Sequence, residues 1–409
     1  MKRALSDLAA LGGPRAFAEP LYVGRPNIGD RGRLLARIND LLDRRWLTNR
    51  GTYVQELEAR IAGQTGVRHC VAMANGTLAL EIAIRASGLT GEVIVPSFTF
   101  VATAHALQWQ EITPVFCDVD PVTHNLDPAR VERLITPRTT GILGVHLWGR
   151  PCDVPALAGI ARRHRLKLLF DAAHAFGCAR GGRPVGGFGD AEVFSFHATK
   201  FLNSFEGGAV VTDDGALADR IRLMQNFGFA DYDEVVYVGT NGKMTEVAAA
   251  MGLTSLESMP EFVEANRRNY RRYRAELAGV SGLSLVEYDE SEAGNFQYIV
   301  LELDEARTGL PRDALKDVLW AENVFARRYF YPGCHRMEPY RSYFPNAGVL
   351  LPQTERLAGR VLTLPTGTAV GPEEIAQVCE IVRLALAHGP ELKERLQEVA
   401  GVPAGMARS

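Results

Sequence analysis

Lysine is scarce in this chain. Of its 45 Lys and Arg residues only six are lysine, so ordinary surface charge is met by arginine. Long hydrophobic runs are missing too. No apolar stretch approaches the roughly 20 residues of a membrane-spanning helix. Lys2 and Arg3 are followed by Asp7 and Gly12-Gly13-Pro14, which interrupt any apolar signal-peptide core. The six cysteines (Cys70, Cys117, Cys152, Cys178, Cys334, Cys379) are widely scattered and form no C-x-x-C pair. Neither a disulfide framework nor a zinc knuckle is indicated, no metal site is expected, and a reducing cytoplasm fits. The net charge is −3, with no basic run or aromatic-interleaved Lys/Arg stripe, which argues against nucleic acid as a partner. There is no internal repeat and no low-complexity segment.

The remaining composition, 46% hydrophobic and 23% charged, is that of a soluble globular protein, and 409 residues suffice for two domains. Residues 1–29, rich in Gly, Pro and Ala, read as an irregular arm. Leu34, Leu35, Ile38, Leu41 and Leu42 recur at helical spacing, and Thr52 can cap a second helix with Val54, Leu57 and Ile61 on its buried face. Short apolar runs at 70–73, 92–95, 115–118, 141–146 and 166–170 then alternate with helical segments at 77–86, 99–108, 128–135 and 154–164. Such alternation predicts an α/β fold, a mostly parallel sheet covered by helices. Runs at 193–196 and 208–212 are closely spaced and read as antiparallel members, with a returning helix over 215–226. Beyond about 245 come helices at 246–256 and 260–277, a strand at 296–301, a helix at 311–320, a strand at 323–329 and a helix at 373–387. This pattern suggests a large domain over 1–250 and a smaller α+β domain over 251–409, with the polar segment from Gly389 onward frayed.

Against the scarcity of lysine, Lys200 stands out. It lies among Phe194, Phe196, Phe201, Leu202 and Phe205. A desolvated amine can lose its proton and form an imine, whereas arginine stays charged. The same lysine could equally lay its stem along apolar neighbours from a loop.

Three further stretches bear on the choice. Asn75-Gly76-Thr77 sits between a strand and a helix, where free N–H groups and the positive dipole end can hold a phosphate. Alone, it is as readily a simple turn. Asp171, in L-L-F-D-A-A-H-A, ends a buried strand at the sheet edge where α/β proteins bind ligands, although a helix-capping role is the simpler reading of the isolated motif. V-P-S-F-T-F brings Phe98 and Phe100 to the same edge, or to core packing. An amine, a carboxylate, an aromatic face and an anion site together match pyridoxal phosphate.

At this level the chain resembles the sugar aminotransferases of the DegT/DnrJ/EryC1/StrS family. The likeness runs in order from about residue 51 to 366 through N-G-T-L-A-L, V-P-S-F-T-F-V-A-T, F-C-D-V-D-P-V-T-H-N-L-D, H-L-W-G-R-P-C-D-V, D-A-A-H-A-F-G, F-S-F-H-A-T-K and E-G-G-A-V-V-T. The resemblance implies the fold-type I aminotransferase architecture and transfer of nitrogen from an amino acid, most often L-glutamate, to a keto-sugar. The pyridoxamine phosphate form would carry the nitrogen between the two half-reactions.

Residue by residue, the resemblance makes Lys200 the lysine that holds the cofactor covalently and Asp171 the partner of its ring nitrogen. His174 would lie near the ring hydroxyl, where many relatives have Gln, and Phe100 would stack on the ring. Gly76, Thr77 and Ser195 would bind the phosphate. Asn241, in G-T-N-G-K-M, would reach the phosphate of a neighbouring subunit and make a homodimer necessary; Lys243 stands there in place of the usual Arg. His197, Glu206 and His335, the last in Y-P-G-C-H-R-M-E-P-Y, point to the subgroup acting on 4-keto sugars. The implied substrate is dTDP-4-keto-6-deoxy-D-glucose, in deoxyamino-sugar and antibiotic biosynthesis. A 3-keto-sugar or cyclitol aminotransferase of the same family, or a non-catalytic regulator, are the alternatives.

Overall fold

The computed structural model describes residues 2–401. Its centre is a seven-stranded sheet: β1 (His69–Met73), β2 (Glu92–Pro96), β3 (Thr113–Cys117), β4 (Thr139–Val145), β5 (Lys167–Asp171), β6 (Ala191–Ser195) and β7 (Gly208–Thr212). They lie in the order β1-β7-β6-β5-β4-β2-β3. All pairings are parallel except those of β7, which runs against both β1 and β6. Only one of the two closely spaced strands is therefore antiparallel. Residues 172–190 between β5 and β6 are long enough to return the chain for a parallel pairing, whereas the segment between β6 and β7 reverses it.

Neighbouring strand residues serve opposite faces. Ile94, Leu168, Phe170, Ala209 and Val211 enter one core with Leu57, Ile61, Leu157 and Leu253. Val93, Val95, Leu169 and Val210 enter another with Leu80, Ala83, Leu107 and Ile221. Helices Thr52–Thr65, Val154–His164 and Glu246–Glu257 supply the first face; Gly76–Ala86, Val101–Gln108 and Gly215–Met224 supply the second. Burial on both faces is why these strands read as continuous apolar runs.

Thr52 does not cap its helix. The N-cap is Gly51, and the Glu246 carboxylate accepts the Tyr53 and Val54 N–H groups at 2.8 and 3.2 Å. A carboxylate from a distant helix thus satisfies the free donors and complements the dipole.

A three-stranded antiparallel sheet, β8 (Leu283–Leu285), β9 (Ile299–Leu303) and β10 (Val361–Leu364), builds a separate core. The N-terminal arm joins it. Leu5, Leu8, Phe17 and Leu21 are buried there, and Leu21–Tyr22 pairs with Val324–Phe325. Only those two residues of the strand expected at 323–329 pair as a strand; the remainder turns to wall the cavity described below. The segment from Gly389 is not frayed over its first part. Gly389–Gly401 is a helix because Leu392 is fully buried and Leu396 packs on the same core. The end of the tail, residues 402–409, lies outside the described residues.

Candidate active site

The C-terminal ends of β1, β5 and β6 meet at one sheet edge, over a cavity of about 620 Å³. Gly76, Thr77, Phe100, Asp171, His174, Ser195, His197 and Lys200 all line it. Eight of the residues expected at the site are thus brought together at the ends of β1, β2, β5 and β6.

Lys200 follows β6 in a tight turn, its N–H donating to His197 O at 2.8 Å. Burial pushes its amine down to about 8, and the Asp171 charge resists that shift. Asp171 ends β5. Burial raises its carboxyl, while the Ala173 N–H at 3.0 Å, the Thr103 hydroxyl at 2.8 Å and the charges of Lys200 and His146 pull it back. A carboxylate held by two donors while facing a buried amine suits a cationic partner.

His174 is held neutral: burial, and then the Lys200 charge, drive its imidazole well below 6.5. Its Nδ1 accepts the Trp148 backbone N–H at 3.3 Å. Phe100 is 57% exposed and stands over the cavity as the N-cap of helix Val101–Gln108. At the far end, Asn75 Oδ1 accepts the Leu78 N–H at 2.9 Å and caps helix Gly76–Ala86. Gly76, Thr77 and Leu78 of that turn line the cavity together with Ser195. A Cβ at Gly76 would lie 2.8 Å from Ser195 Cβ, so only glycine permits this approach. An anion cradle, a buried amine, a ring-sized apolar wall and a carboxylate fit pyridoxal phosphate.

His197 and Glu206 form a rim pair, Nε2 to Oε1 at 3.5 Å, with His197 Nδ1 on Thr199 Oγ1 at 2.8 Å. Three expected residues do not line the cavity. His335 is 2% exposed, with Nδ1 on Ser97 Oγ at 2.7 Å and Nε2 on Glu355 at 2.8 Å. The expectation that it contacts sugar is thereby corrected: its ring is used up by two partners, and it braces the loop after β2. Asn241 is exposed and its backbone bridges Asn226. Lys243 donates to Asn226 Oδ1 at 2.8 Å, over the Phe227 ring at 5.0 Å.

Several site residues carried no earlier signal. Thr103 lies one helical turn from Thr99 inside V-P-S-F-T-F-V-A-T, a spacing that could have shown it. Tyr298, Arg327, Tyr329 and Phe330 wall the cavity from segments whose sequence reads as ordinary strand. A second cavity of about 370 Å³ adjoins the first through Thr99, Phe100, Arg327, Tyr329 and Phe330, and adds Lys316, Trp320, Arg328 and Tyr331.

The profile of the DegT/DnrJ/EryC1/StrS aminotransferase family matches residues 30–383. The chain belongs to this family. It is an aminotransferase of fold type I, and the family depends on pyridoxal phosphate. The dTDP-4-amino-4,6-dideoxy-D-glucose transaminase of Shigella dysenteriae is 37% identical, covering 89% of this chain and 99% of that protein. The GDP-perosamine synthase of Escherichia coli O157:H7 is 32% identical over 84% of this chain and 93% of that protein. Among solved structures, DesI in the presence of its TDP-sugar product superposes with a TM-score of 0.93 at 56% identity, covering 96% of this chain and all of that one. Among the described residues, no helix is long and apolar enough to cross a membrane, and no group of three His, Cys, Asp or Glu is placed to hold a metal.

Proposed function

We propose that this protein uses pyridoxal phosphate to move an amino group from L-glutamate to the C4 ketone of dTDP-4-keto-6-deoxy-D-glucose. The product is dTDP-4-amino-4,6-dideoxy-D-glucose, for deoxyamino-sugar biosynthesis. The observation that carries this reading is the meeting of buried Lys200, Asp171 and the Gly76 anion cradle in one cavity, in a chain 56% identical to a protein solved with a TDP-sugar product.

Bound there, the cofactor supplies an electron sink for the carbon that loses its proton. Lys200 would hold it covalently, and its free amine would take a proton from the reacting substrate carbon and return one. Asp171 keeps the ring nitrogen protonated. Phe100 would cover the ring face, His174 would offer its Nε2–H to the ring hydroxyl, and Gly76, Thr77 and Ser195 would hold the phosphate. His197 and Glu206 at the rim receive the sugar. Lys316, Arg327 and Arg328, interleaved with Trp320 and Tyr331 in the adjoining cavity, support a nucleotide-linked substrate. Cations suit a diphosphate and aromatic faces a base.

The working unit is a homodimer in which Asn241 and Lys243 serve the neighbouring site. Phe229, Tyr232, Val235, Val236, Tyr237 and Val238 are all exposed on the same stretch of chain, an apolar patch that a second copy would cover. The division into a large domain over 1–250 and a small one over 251–409 belongs to the same reading, with helix Glu246–Glu257 as the junction. All six cysteines are unpaired and buried, in keeping with a reducing cytoplasm.

The test begins with protein converted to its pyridoxamine form and freed of glutamate. It is mixed in single turnover with matched 4-keto and 3-keto dTDP-6-deoxy sugars while the cofactor absorbance is followed. Return of the pyridoxal form with the 4-keto sugar alone, and nitrogen at C4 by NMR, is the expected outcome. Return with the 3-keto sugar alone would overturn the assignment of C4. No conversion by glutamate in the first step would overturn the donor, or catalysis itself.

A further inference from the structure

Trp148 is fully buried, yet its backbone is left-handed, with φ 62°. A bulky residue in that region is strained and persists only where its surroundings over-determine it. The Tyr288 hydroxyl donates to the Trp148 carbonyl at 3.0 Å, and two further bonds and two stacks hold the residue. Its backbone N–H donates to His174 Nδ1 at 3.3 Å, and its indole Nε1–H donates to His124 Nδ1 at 3.1 Å. Its ring lies against His174, centroids 6.0 Å apart at 25°, and against Phe330 at 5.5 Å and 17°.

These bonds fix protons. An indole N–H and a backbone N–H only donate, so Nδ1 of both histidines must be bare. His124 then carries its hydrogen on Nε2, which meets Glu302 Oε1 at 2.8 Å. His174 carries its hydrogen on Nε2, which has no partner among the described residues and lies in the wall of the cavity. Moving either hydrogen to Nδ1 would set two donors against each other. His124 is 1% exposed, and Glu302, on β9, reaches Arg356 at 3.4 Å. A continuous chain of contacts therefore runs from the three-stranded sheet through Glu302, His124 and Trp148 to His174.

We propose that His124 and Glu302 are positioning residues that act through Trp148 to hold His174 as a fixed Nε2–H donor toward the cavity. The chain's bonds stand on geometry alone; that the donor meets the cofactor rests on the proposed function. Ionisable groups along this path are Lys200 and Tyr298 beside His174, Tyr288 on the Trp148 carbonyl, and Asp120, Glu302, Arg356 and Arg360 around His124 and its partner. None of them competes for the two Nδ1 atoms.

The experiment uses the full chain with 15N-labelled histidine, without cofactor for NMR and with it for titration. In the wild type, His174 should show one bare and one protonated ring nitrogen. In His124→Leu the indole loses its acceptor, and the two His174 nitrogens should move toward averaged shifts. Affinity for pyridoxal phosphate, read by absorbance, should fall about fivefold, the worth of one neutral hydrogen bond. Trp148→Phe keeps the backbone N–H and the stack but removes the donor to His124, and should reproduce both changes even if His124→Leu does not fold. In a His174→Gln background the affinity loss should vanish, which a merely structural effect of residue 124 would not do. Wild-type nitrogen shifts in both single variants, or an equal loss in the His174→Gln background, would overturn the proposal. If the wild type itself takes up no pyridoxal phosphate, the functional reading fails, and the nitrogen shifts alone decide this one.

Discussion

Thr103 donates its hydroxyl to Asp171 Oδ2 at 2.8 Å, from the first turn of the helix that Phe100 caps. The bond crosses from one strand end to another and is one of two that stabilise the ionised carboxylate against burial. Thr103→Val removes the donor and keeps the shape, so the Asp171 carboxyl rises further. Transamination should fall about tenfold near neutrality, as expected for one hydrogen bond to a charged group. The loss should shrink as pH rises and the carboxylate is restored. Thr103→Ser should restore activity. Steady-state rates across a pH series check both.

Lys200 gives a prediction with a sign. Its folded-state value of about 8 lies below the ordinary 10.5. Only the neutral amine attacks a carbonyl, so capture of pyridoxal phosphate should accelerate with pH and reach half its maximum near 8. The cofactor-free chain should respond as well. Between about 8 and 10.5 the unfolded state binds more protons at this lysine, so stability from this group grows as pH rises through that window. Below it, the cost of a buried charge is paid in full. Lys200→Met should abolish borohydride-fixed cofactor and flatten this part of the stability curve, measured by denaturant unfolding.

Much of this was legible in the sequence because the fold obeys local rules. β5 reads as a strand from Leu168, Leu169 and Phe170, both of whose faces are buried, and it delivers Asp171 to the correct edge. Lys200 was visible because arginine meets nearly every other demand for positive charge. The illegible parts depend on distant partners. Thr52 carries the chemistry of a cap, but Glu246 occupies that position from 194 residues further along the chain. His335 lies in a segment similar to the family's sugar pocket, yet Ser97 and Glu355 take both its nitrogens. Leu392 and Leu396 in a polar stretch look too few to hold a helix until the core they cap is seen.

Gly76 tests the anion cradle. An alanine there places its Cβ 2.8 Å from Ser195 Cβ, with Ser195 Oγ at 3.0 Å, and forces apart the two groups proposed to share the phosphate. Helix propensity favours alanine, so the fold itself should survive. Gly76→Ala should therefore retain a cooperative thermal transition while losing tenfold or more, on the order of 1.4 kcal/mol, in affinity for pyridoxal phosphate. Absorbance titration of cofactor-free protein reads this directly. Unchanged affinity would remove this turn from the phosphate site.

Arg327 should separate the two half-reactions. It lines both cavities, its backbone is fixed by the bridge to Thr363, and its guanidinium lies over the Tyr329 ring at 5.5 Å. Among the described residues no carboxylate lies within salt-bridge distance of it, unlike Arg328, which meets Asp313 at 3.1 Å. An unpaired guanidinium at the junction of a sugar cavity and a cationic one is placed for a phosphate oxygen of the substrate. Arg327→Met keeps the stem over Tyr329 and removes the charge. The KM for the nucleotide sugar should rise about tenfold or more, and that rise should narrow with added salt as the wild-type interaction is screened. Conversion by glutamate, whose product carries no diphosphate, should proceed at close to the wild-type rate in single turnover. An equal loss in both halves would place Arg327 against the donor carboxylate instead, and would leave Lys316 and Arg328 to hold the diphosphate.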